Sequence, residues 1–437
     1  MRRSIPILFL LLAVFSCSKP ESPDPSVGGP GAGNETLPPS PPPTPPSVPQ
    51  NEYKPGKWEA VADSCTFVLV ENFLVKEKGV FMSRPGDGKA SNGIYWQQAH
   101  AIDVLNYAYR RLHGRDDTRA EAYKRYIGLW FENNANNYDA SHRQEGKYGC
   151  VFNPYTDDMA WICLTLLNFA ETFSDAGYAD VAKGVYDHYI ITRLMTNEQG
   201  RTGLPWTNNP DKGMGLNACT NAPACAVACR LYNRYRTKKY LDDALLLYRH
   251  LYDDIYNPAT GRLEDPPLTY TQGSFAEACR LLFHITGEAH YLDTAYDLLA
   301  FAYTKDRCTG KVSVGDEEWR ILRSEGVSMD QALFKSVLIP YTVNFIQDTS
   351  VPAARRDEIK ACLIRNGEML ERTLDRKTWP QMYACYFWGK TWTEWAASNQ
   401  AELDRFGGTL ATYKVAMSAQ ASGASLMEGL ARLEREP

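Results

Sequence analysis

Four Asp-Asp pairs are the residues in this chain whose type and spacing most directly suggest chemistry. They occupy positions 116–117, 157–158, 242–243 and 253–254. The first pair follows a glycine in a polar turn, and the last two belong to an amphipathic segment whose charged face would be solvated. Only the pair at 157–158 lies between a turn and a segment too apolar to be exposed. Two carboxyl groups at such a position could divide the roles of general acid and general base.

Helix capping is the alternative interpretation of Asp157 and Asp158. Acids in a first helical turn, after Thr156 as an N-cap, interact favourably with the helix dipole. One acid is enough for that, and two like charges at the mouth of a buried helix repel each other, which favours one protonated and one ionised member. Consecutive side chains at a helix start diverge, so the two carboxyls could flank a sugar bound across the mouth. Retaining glycosidases hold their two carboxyl groups about 5–5.5 Å apart.

Helices must position this pair. From Trp58 onward, apolar residues recur at spacings of three and four, in segments separated by short polar or Gly/Pro turns, and this pattern predicts an all-α chain. The segment Met159 to Leu167 is apolar nearly all round, as expected of an inner helix, whereas residues 240–252 are amphipathic, as expected of an outer helix. Examples of the predicted helices are residues 97–112, 118–133, 157–173, 178–195, 221–236, 240–252, 274–286 and 291–303.

A weak internal repeat indicates how the helices are arranged. Tyr178, Tyr240 and Tyr291 each begin the pattern Tyr-x-Asp-x-Ala, at spacings of 62 and 51 residues. A helical hairpin with its loops takes about that length, so the chain holds about six or seven hairpins. An open solenoid of tetratricopeptide type would need a period of about 34 residues. We therefore predict an (α/α)6 barrel, a ring of six helical hairpins.

The N-terminal residues have the pattern of an export signal. Two arginines precede an apolar run that ends at Ser16-Cys17, which resembles a bacterial lipoprotein signal covering residues 1–17, with Cys17 as the lipidated residue. Residues 18–50 contain twelve prolines and few apolar side chains, as expected of a disordered tether. Residues 51–437 then form a single catalytic domain. We expect this protein in the bacterial cell envelope, held at the outer membrane by its lipid anchor.

Composition limits the class of ligand. The net charge is −5, and no basic run is present, which argues against nucleic acid and against an anionic membrane surface as partners. The eleven cysteines include no Cys-x-x-Cys pair, and the seven histidines do not cluster with them, so we predict no metal and no cofactor. Buried free thiols are the expected state of the cysteines after Cys17. We expect a monomer that binds a neutral ligand.

The segment Asn153 to Trp161 resembles the Asp-Asp signature of glycoside hydrolase family 76. Further segments resemble motifs of that family in the same order, at residues 95–103, 203–206, 217–224, 265–273 and 330–335. The resemblance implies an (α/α)6 barrel that hydrolyses α-1,6-mannan internally with retention. It also implies Asp157 as nucleophile and Asp158 as general acid/base. The cleft residues that it nominates are Gln98, Asp103, Trp206, Asn221 and Gln272.

The chain departs from the family pattern at Gln97, Leu216 and Thr271. None of these residues belongs to the acid pair, so the departures concern subsite preference rather than hydrolysis.

Each nominated residue also has a structural interpretation. Trp206 could be a core aromatic, Asn221 could belong to a helix cap, and Gln98 and Asp103 could pair within the core. His100, on an apolar helix, is better explained by packing than by catalysis. For the whole chain, the alternatives are a glycan-binding surface lipoprotein without catalysis, or another sugar-active (α/α)6 enzyme.

Overall fold

Fourteen α-helices, connected in part by short β-hairpins, form the part of the chain that the computed structural model describes, which is residues 53–87, 95–133, 140–405 and 407–436. The helices are α1 (Lys57–Phe73), α2 (Tyr95–Leu112), α3 (Asp117–Glu132), α4 (Thr156–Phe173), α5 (Ala176–Val185), α6 (Ala218–Tyr235), α7 (Lys238–Arg249), α8 (Thr269–Thr286), α9 (His290–Thr304), α10 (Met329–Gln347), α11 (Ala353–Thr373), α12 (Trp392–Arg405), α13 (Leu410–Lys414) and α14 (Met417–Arg435). The antiparallel strand pairs are β1 (Leu74–Val75) with β2 (Val80–Phe81), β3 (Met195–Thr196) with β4 (Thr202–Gly203), β5 (Tyr256–Asn257) with β6 (Arg262–Leu263), and β7 (Thr309–Val314) with β8 (Glu317–Leu322).

Six of these helices form a closed inner ring, in the order α2, α4, α6, α8, α10 and α14, with α14 returning to α2. Each of the first five packs against the outer helix that follows it in the chain, from α3 to α11. The sixth hairpin is closed by α14 against α1, so the two ends of the domain meet. This arrangement confirms the predicted (α/α)6 barrel. Each outer helix returns the chain to the mouth where the preceding inner helix began. The inner helices are therefore parallel, and all begin at the same mouth of the ring.

The predicted helices match the observed ones closely, with differences at some ends. The predicted start of α8 was five residues late, because the polar run before Ser274 interrupts the apolar pattern. The structure places that run inside the helix. Gly273 lets α8 approach α10, since an added Cβ would lie only 2.8 Å from the Cα of Leu338. The segment predicted as one helix over 178–195 leaves the α-helical form after Val185, through a π-helical turn and a 3-10 turn.

The cysteines lie inside the helical layers. The ten described cysteines are free, and nine of them are buried, as the sequence predicted. The thiols of Cys163 and Cys225 donate to the carbonyls of Ala182 and Ala244, which are equivalent positions in two successive hairpins. The internal repeat is therefore also a repeat of packing.

Two features of the chain concern membranes and metals. Within the described ranges, no helix has both the length and the apolar character needed to cross a bilayer. The same ranges contain no group of three or more His, Cys, Asp or Glu side chains placed to hold a metal ion. The predicted signal, the lipidated Cys17 and the tether over residues 18–50 lie outside the described residues.

Candidate active site

A cleft opens at the mouth of the ring where the inner helices begin. The first turn of α4 contributes Asp157 and Asp158, and the starts of α2, α8 and α10 contribute most of the other side chains. The residues that line this cleft are Trp96, Asp157, Asp158, Trp161, Trp206, Tyr270, Asp330 and Phe334. An acid pair in an aromatic cleft is suited to a sugar, whose apolar ring faces pack on aromatic rings while its hydroxyls and anomeric carbon meet the carboxyls.

The two carboxyl groups have different neighbours. Asp157 is 7% exposed and accepts a hydrogen bond from the indole Nε1 of Trp206, at 3.3 Å. Asp158 is 2% exposed and accepts a hydrogen bond from Nδ2 of Asn153, at 2.9 Å. The amide oxygen of Asn153 is itself fixed, because it accepts from the backbone N–H of Tyr155 at 2.8 Å. A turn before the helix therefore orients Asp158, while a side chain from another loop contacts Asp157.

Capping does not account for the segment that precedes these acids. Thr156, expected as the N-cap, is the first residue of α4, and Tyr155 occupies the N-cap position without a side-chain cap. The backbone N–H of Thr156 donates to the carbonyl of Trp206 at 2.8 Å, and Tyr155 forms a β-bridge with Thr207. The acid-bearing loop and the Trp206 loop are thus paired through their backbones. That pairing places the indole of Trp206, which the sequence nominated for the cleft, beside Asp157.

Aromatic rings form the floor of the cleft. The rings of Tyr270 and Phe334 stack with centroids 4.3 Å apart. Beneath them, His100 lies between Trp96 and Trp161, with ring centroids 5.4 and 5.5 Å away. Burial lowers the pKa of His100 to about 3, so its imidazole is neutral at physiological pH. His100 is therefore a packing residue below the site, which agrees with the interpretation preferred from the sequence.

Asp330 is a third carboxylate in the cleft. Its Oδ1 accepts hydrogen bonds from Nε1 of Trp96 at 3.0 Å and from Nε2 of Gln97 at 2.8 Å. Sequence reasoning nominated none of Trp96, Tyr270, Asp330 and Phe334 for the cleft. The available signal was their position, because each lies in the first two turns of an inner helix, and those turns converge at one mouth of a closed ring.

Gln98, Asn221 and Gln272, predicted as cleft residues, have a different role in the structure. Each side chain is fully buried and forms hydrogen bonds to both the N–H and the C=O of one backbone residue. Gln98 pairs with Phe81 at 2.9 and 2.7 Å, Asn221 with Leu204 at 2.8 and 3.0 Å, and Gln272 with Leu263 at 3.0 and 3.2 Å.

The physical reason for this correction is that buried backbone N–H and C=O groups need hydrogen-bond partners. The short hairpins leave peptide groups without a strand partner, and an unpaired buried peptide group costs free energy. A primary amide both donates and accepts, so it can replace the missing strand. We call these three side chains the amide hooks. They secure the hairpin and loop segments before α2, α6 and α8 to the starts of those helices, and they do not line the cleft.

Asp103 is also corrected, because it faces the other mouth of the ring. It lines a cavity of about 510 Å³ among the C-terminal halves of the inner helices. Its carboxylate accepts hydrogen bonds from Thr165 at 2.8 Å and Asn168 at 3.0 Å, and burial raises its pKa to about 6. The other two carboxylates of that cavity are held in salt bridges with arginines. This cavity is larger than the cleft, but each of its three carboxylates is already held by hydrogen bonds or by a salt bridge. The acid pair lies in the cleft, which is therefore the candidate active site.

The chain was compared with known proteins. The profile of glycosyl hydrolase family 76 matches residues 58–421. A search of curated proteins found no match.

Several solved structures share the fold. One is an inactive variant of the alpha-1,6-mannanase GH76A of Salegentibacter sp. HEL1_6 in complex with alpha-1,6-mannotetrose, with 24% identity over 86% of this chain and 100% of that chain, and a TM-score of 0.67. Another is the Lin0763 protein from Listeria innocua, with 22% identity over 87% of this chain and 99% of that chain, and a TM-score of 0.66. A third is the family 76 mannosidase Bt3792 from Bacteroides thetaiotaomicron VPI-5482, with 17% identity over 87% of this chain and 100% of that chain, and a TM-score of 0.62.

The family profile covers most of the helical domain, including both aspartates of the acid pair, the first five helices of the inner ring and the first turn of α14. With the barrel and the cleft described above, this match identifies the chain as a glycoside hydrolase that belongs to family 76.

Proposed function

We propose that this enzyme hydrolyses internal α-1,6-mannosidic linkages of mannan with retention of configuration. The observation that carries the proposal is the pair Asp157 and Asp158, which lies in an aromatic cleft at the start of an inner helix. Support comes from the Salegentibacter alpha-1,6-mannanase, whose variants with two adjacent aspartates replaced by alanine or by asparagine are described as inactive and are in complex with alpha-1,6-manno-oligosaccharides.

In the proposed mechanism, Asp157 is the nucleophile and Asp158 the general acid/base. In the first step, a carboxylate oxygen of Asp157 forms a bond to the anomeric carbon. The glycosidic C–O bond breaks, and the leaving oxygen takes the proton of Asp158. In the second step, ionised Asp158 takes a proton from water, whose oxygen bonds to the anomeric carbon. The ester bond then breaks with its electron pair returning to Asp157. Two inversions give net retention.

The neighbours of each acid suit these roles. The indole of Trp206 can only donate a hydrogen bond, so it is best satisfied by an ionised Asp157. Asn153 holds one oxygen of Asp158 and thereby fixes the rotation of the carboxyl group that must deliver a proton. Asp330, held by Trp96 and Gln97, is placed to accept hydrogen bonds from substrate hydroxyls.

The test is product analysis after incubation with linear α-1,6-mannan. We expect a ladder of short α-mannosides, with the α-anomer formed first as followed by proton NMR. Asp157→Asn and Asp158→Asn should each lose at least about a hundredfold in kcat/KM. Asp242→Asn is the matched control, because it alters an Asp-Asp pair on the exposed face of α7.

Three results would contradict this proposal. Release of mannose alone would indicate action at chain ends, and a β-anomer formed first would indicate inversion. Binding of mannan without cleavage would support the glycan-binding alternative instead.

We also propose that the enzyme is attached to the bacterial cell envelope through lipidated Cys17. The support is the signal-like pattern of residues 1–17 followed by a proline-rich segment. Cells given labelled palmitate should incorporate the label into the wild-type protein and not into Cys17→Ser. Equal release of both proteins into the soluble fraction would contradict this proposal.

A further inference from the structure

Arg193 lies behind the segment that carries the acid pair and contacts it at three points. It is the last residue of the 3-10 turn that ends the outer segment of the hairpin formed by α4 and α5. Its Nη1 donates to the carbonyl of Pro154 at 3.0 Å and to Oγ1 of Thr156 at 3.1 Å, and its Nη2 donates to the carbonyl of Asn153 at 3.0 Å. A single guanidinium group therefore spans the backbone that leads into Asp157.

The guanidinium group of Arg193 is partly buried, and its hydrogen bonds go to uncharged groups. Burial lowers the pKa of Arg193 to about 10, and the nearby carboxylate of Asp157 opposes this lowering. Other buried arginines of this domain form direct salt bridges, as Arg111 does with Glu428 at 2.8 Å. All three hydrogen bonds of Arg193 go to uncharged oxygens. A partly buried cation without a direct salt bridge is costly, so its charge calls for an explanation beyond loop packing.

The electrostatics of the cleft supply that explanation. The described titratable side chains that line or adjoin the cleft beside Asp157 are Tyr95, His100, Asp158, Tyr270 and Asp330. Lys335 on α10 donates instead to the carbonyl of Tyr386. Neutral His100 and the two tyrosines carry no charge at neutral pH, so among the described residues the cleft lining holds three carboxyl groups and no cation. Arg193, behind the loop, is a positive charge that interacts with Asp157.

We propose that Arg193 is a positioning residue that fixes the segment before the acid pair and keeps Asp157 ionised when substrate enters. This proposal rests on the proposed role of Asp157 as nucleophile. Substrate binding removes water from the cleft and so strengthens the repulsion between Asp157 and the other carboxyl groups. A fixed cation at the back of the loop offsets this repulsion, and it does not compete for space with the sugar. The same charge stabilises the Asp157 carboxylate when it leaves the glycosyl-enzyme in the second step.

The experiment is the pH profile of kcat/KM for wild type, Arg193→Gln, Arg193→Met and Arg193→Lys. The acidic limb of this profile reports the group that must be ionised in the free enzyme. Loss of the charge should move the acidic limb upward by about half to one pH unit, since a unit charge several ångströms away has an effect of this order. Arg193→Lys should leave the limb within about 0.2 pH unit of wild type, while kcat/KM falls several-fold through loss of the planar fork.

Arg230→Gln is the matched control. Arg230 is another partly buried arginine that donates to a backbone carbonyl, that of Leu164, but it lies at the opposite mouth of the ring. We expect this variant to keep the wild-type acidic limb even if its Tm falls. A merely structural role for Arg193 would lower Tm in the neutral variants and leave their acidic limb where it is in wild type, and that result would overturn the proposal.

A second measurement keeps this inference separate from the proposed function. Carbodiimide labels protonated carboxyl groups, and mass spectrometry of the peptide that contains Asp157 gives its labelling against pH without any substrate. Labelling of Asp157 should extend to higher pH in both neutral Arg193 variants than in wild type or Arg193→Lys. If wild type does not cleave mannan, the proposed function fails and this measurement still decides the electrostatic role of Arg193. Identical labelling curves would overturn it.

Discussion

The amide hooks make a prediction that separates architecture from sugar binding. Gln272 is fully buried, and its side chain pairs with the N–H and C=O of Leu263 at 3.0 and 3.2 Å. Gln272→Ala leaves both peptide groups buried without a partner, at about 1–3 kcal/mol each. We expect a total loss of roughly 3–5 kcal/mol. For a domain of roughly 380 residues the unfolding entropy is about 0.8 kcal/mol/K, so Tm should fall by about 5 °C.

The assay is thermal unfolding followed by circular dichroism, together with kcat and KM measured at least about 15 °C below the lower Tm. We expect kcat/KM of Gln272→Ala to stay within about twofold of wild type, because the side chain does not reach the cleft. Gln400→Ala is the control, since Gln400 is exposed and bonds only Asp404, so its stability should change by less than about 0.5 kcal/mol. A tenfold rise in KM with an unchanged Tm would refute the reasoning and return Gln272 to the cleft.

Three further predictions concern other parts of the barrel. Trp206→Phe keeps an aromatic ring but loses the N–H donor to Asp157, so kcat should fall about tenfold with KM nearly unchanged. Steady-state kinetics measures both constants, and an unchanged kcat would show that this hydrogen bond does not contribute to catalysis. Gly273→Ala should destabilise the protein by about 1–3 kcal/mol, because the added methyl group forces α8 away from α10. Gly128→Ala, in open space within α3, should instead stabilise the protein by about 0.5–1 kcal/mol. Denaturant titration measures both changes in the free energy of unfolding. Burial raises the pKa of Asp103 to about 6, so folding favours its protonated form and wild type loses about 3 kcal/mol of stability as pH rises from about 4 to 6. Asp103→Asn should remove that loss, and parallel Tm-against-pH curves for the two proteins would contradict it.

Local patterns were sufficient to predict the helices named in the sequence analysis and the position of the acid pair at the start of one of them. The apolar spacing of the inner and outer helices depends on neighbours three and four residues apart, so it can be read within one segment. The contrast between Asp157–Asp158 and the solvated pair at 242–243 is likewise local, because it depends on whether the adjoining helix is apolar all round. The repeat length then favoured a closed ring, which the structure confirms.

The same local patterns did not separate the two mouths of the ring. Asp103 and Asp330 are both acids on buried inner helices, but Asp103 lies in the middle of α2 and Asp330 in the first turn of α10. Only the parallel packing of the inner helices places Asp103 at the cavity of the opposite mouth and Asp330 in the cleft. A prediction that had combined the closed ring with helix position would have included Asp330 and left out Asp103.

The sequence by itself determined that this chain forms helical hairpins in a ring and that one acid pair begins an inner helix, because periodicity and composition act over a few turns of helix. It did not determine which buried polar residues serve the fold and which serve the cleft. A buried amide at a helix start looks the same in sequence whether its partner is a sugar hydroxyl or the peptide group of Leu204. That partner lies in the hairpin or loop 9 to 17 residues earlier, and the helical spacing does not show how this segment folds back onto the helix. The tertiary structure decided this for Gln98, Asn221 and Gln272, and it alone brought Arg193 behind Asp157.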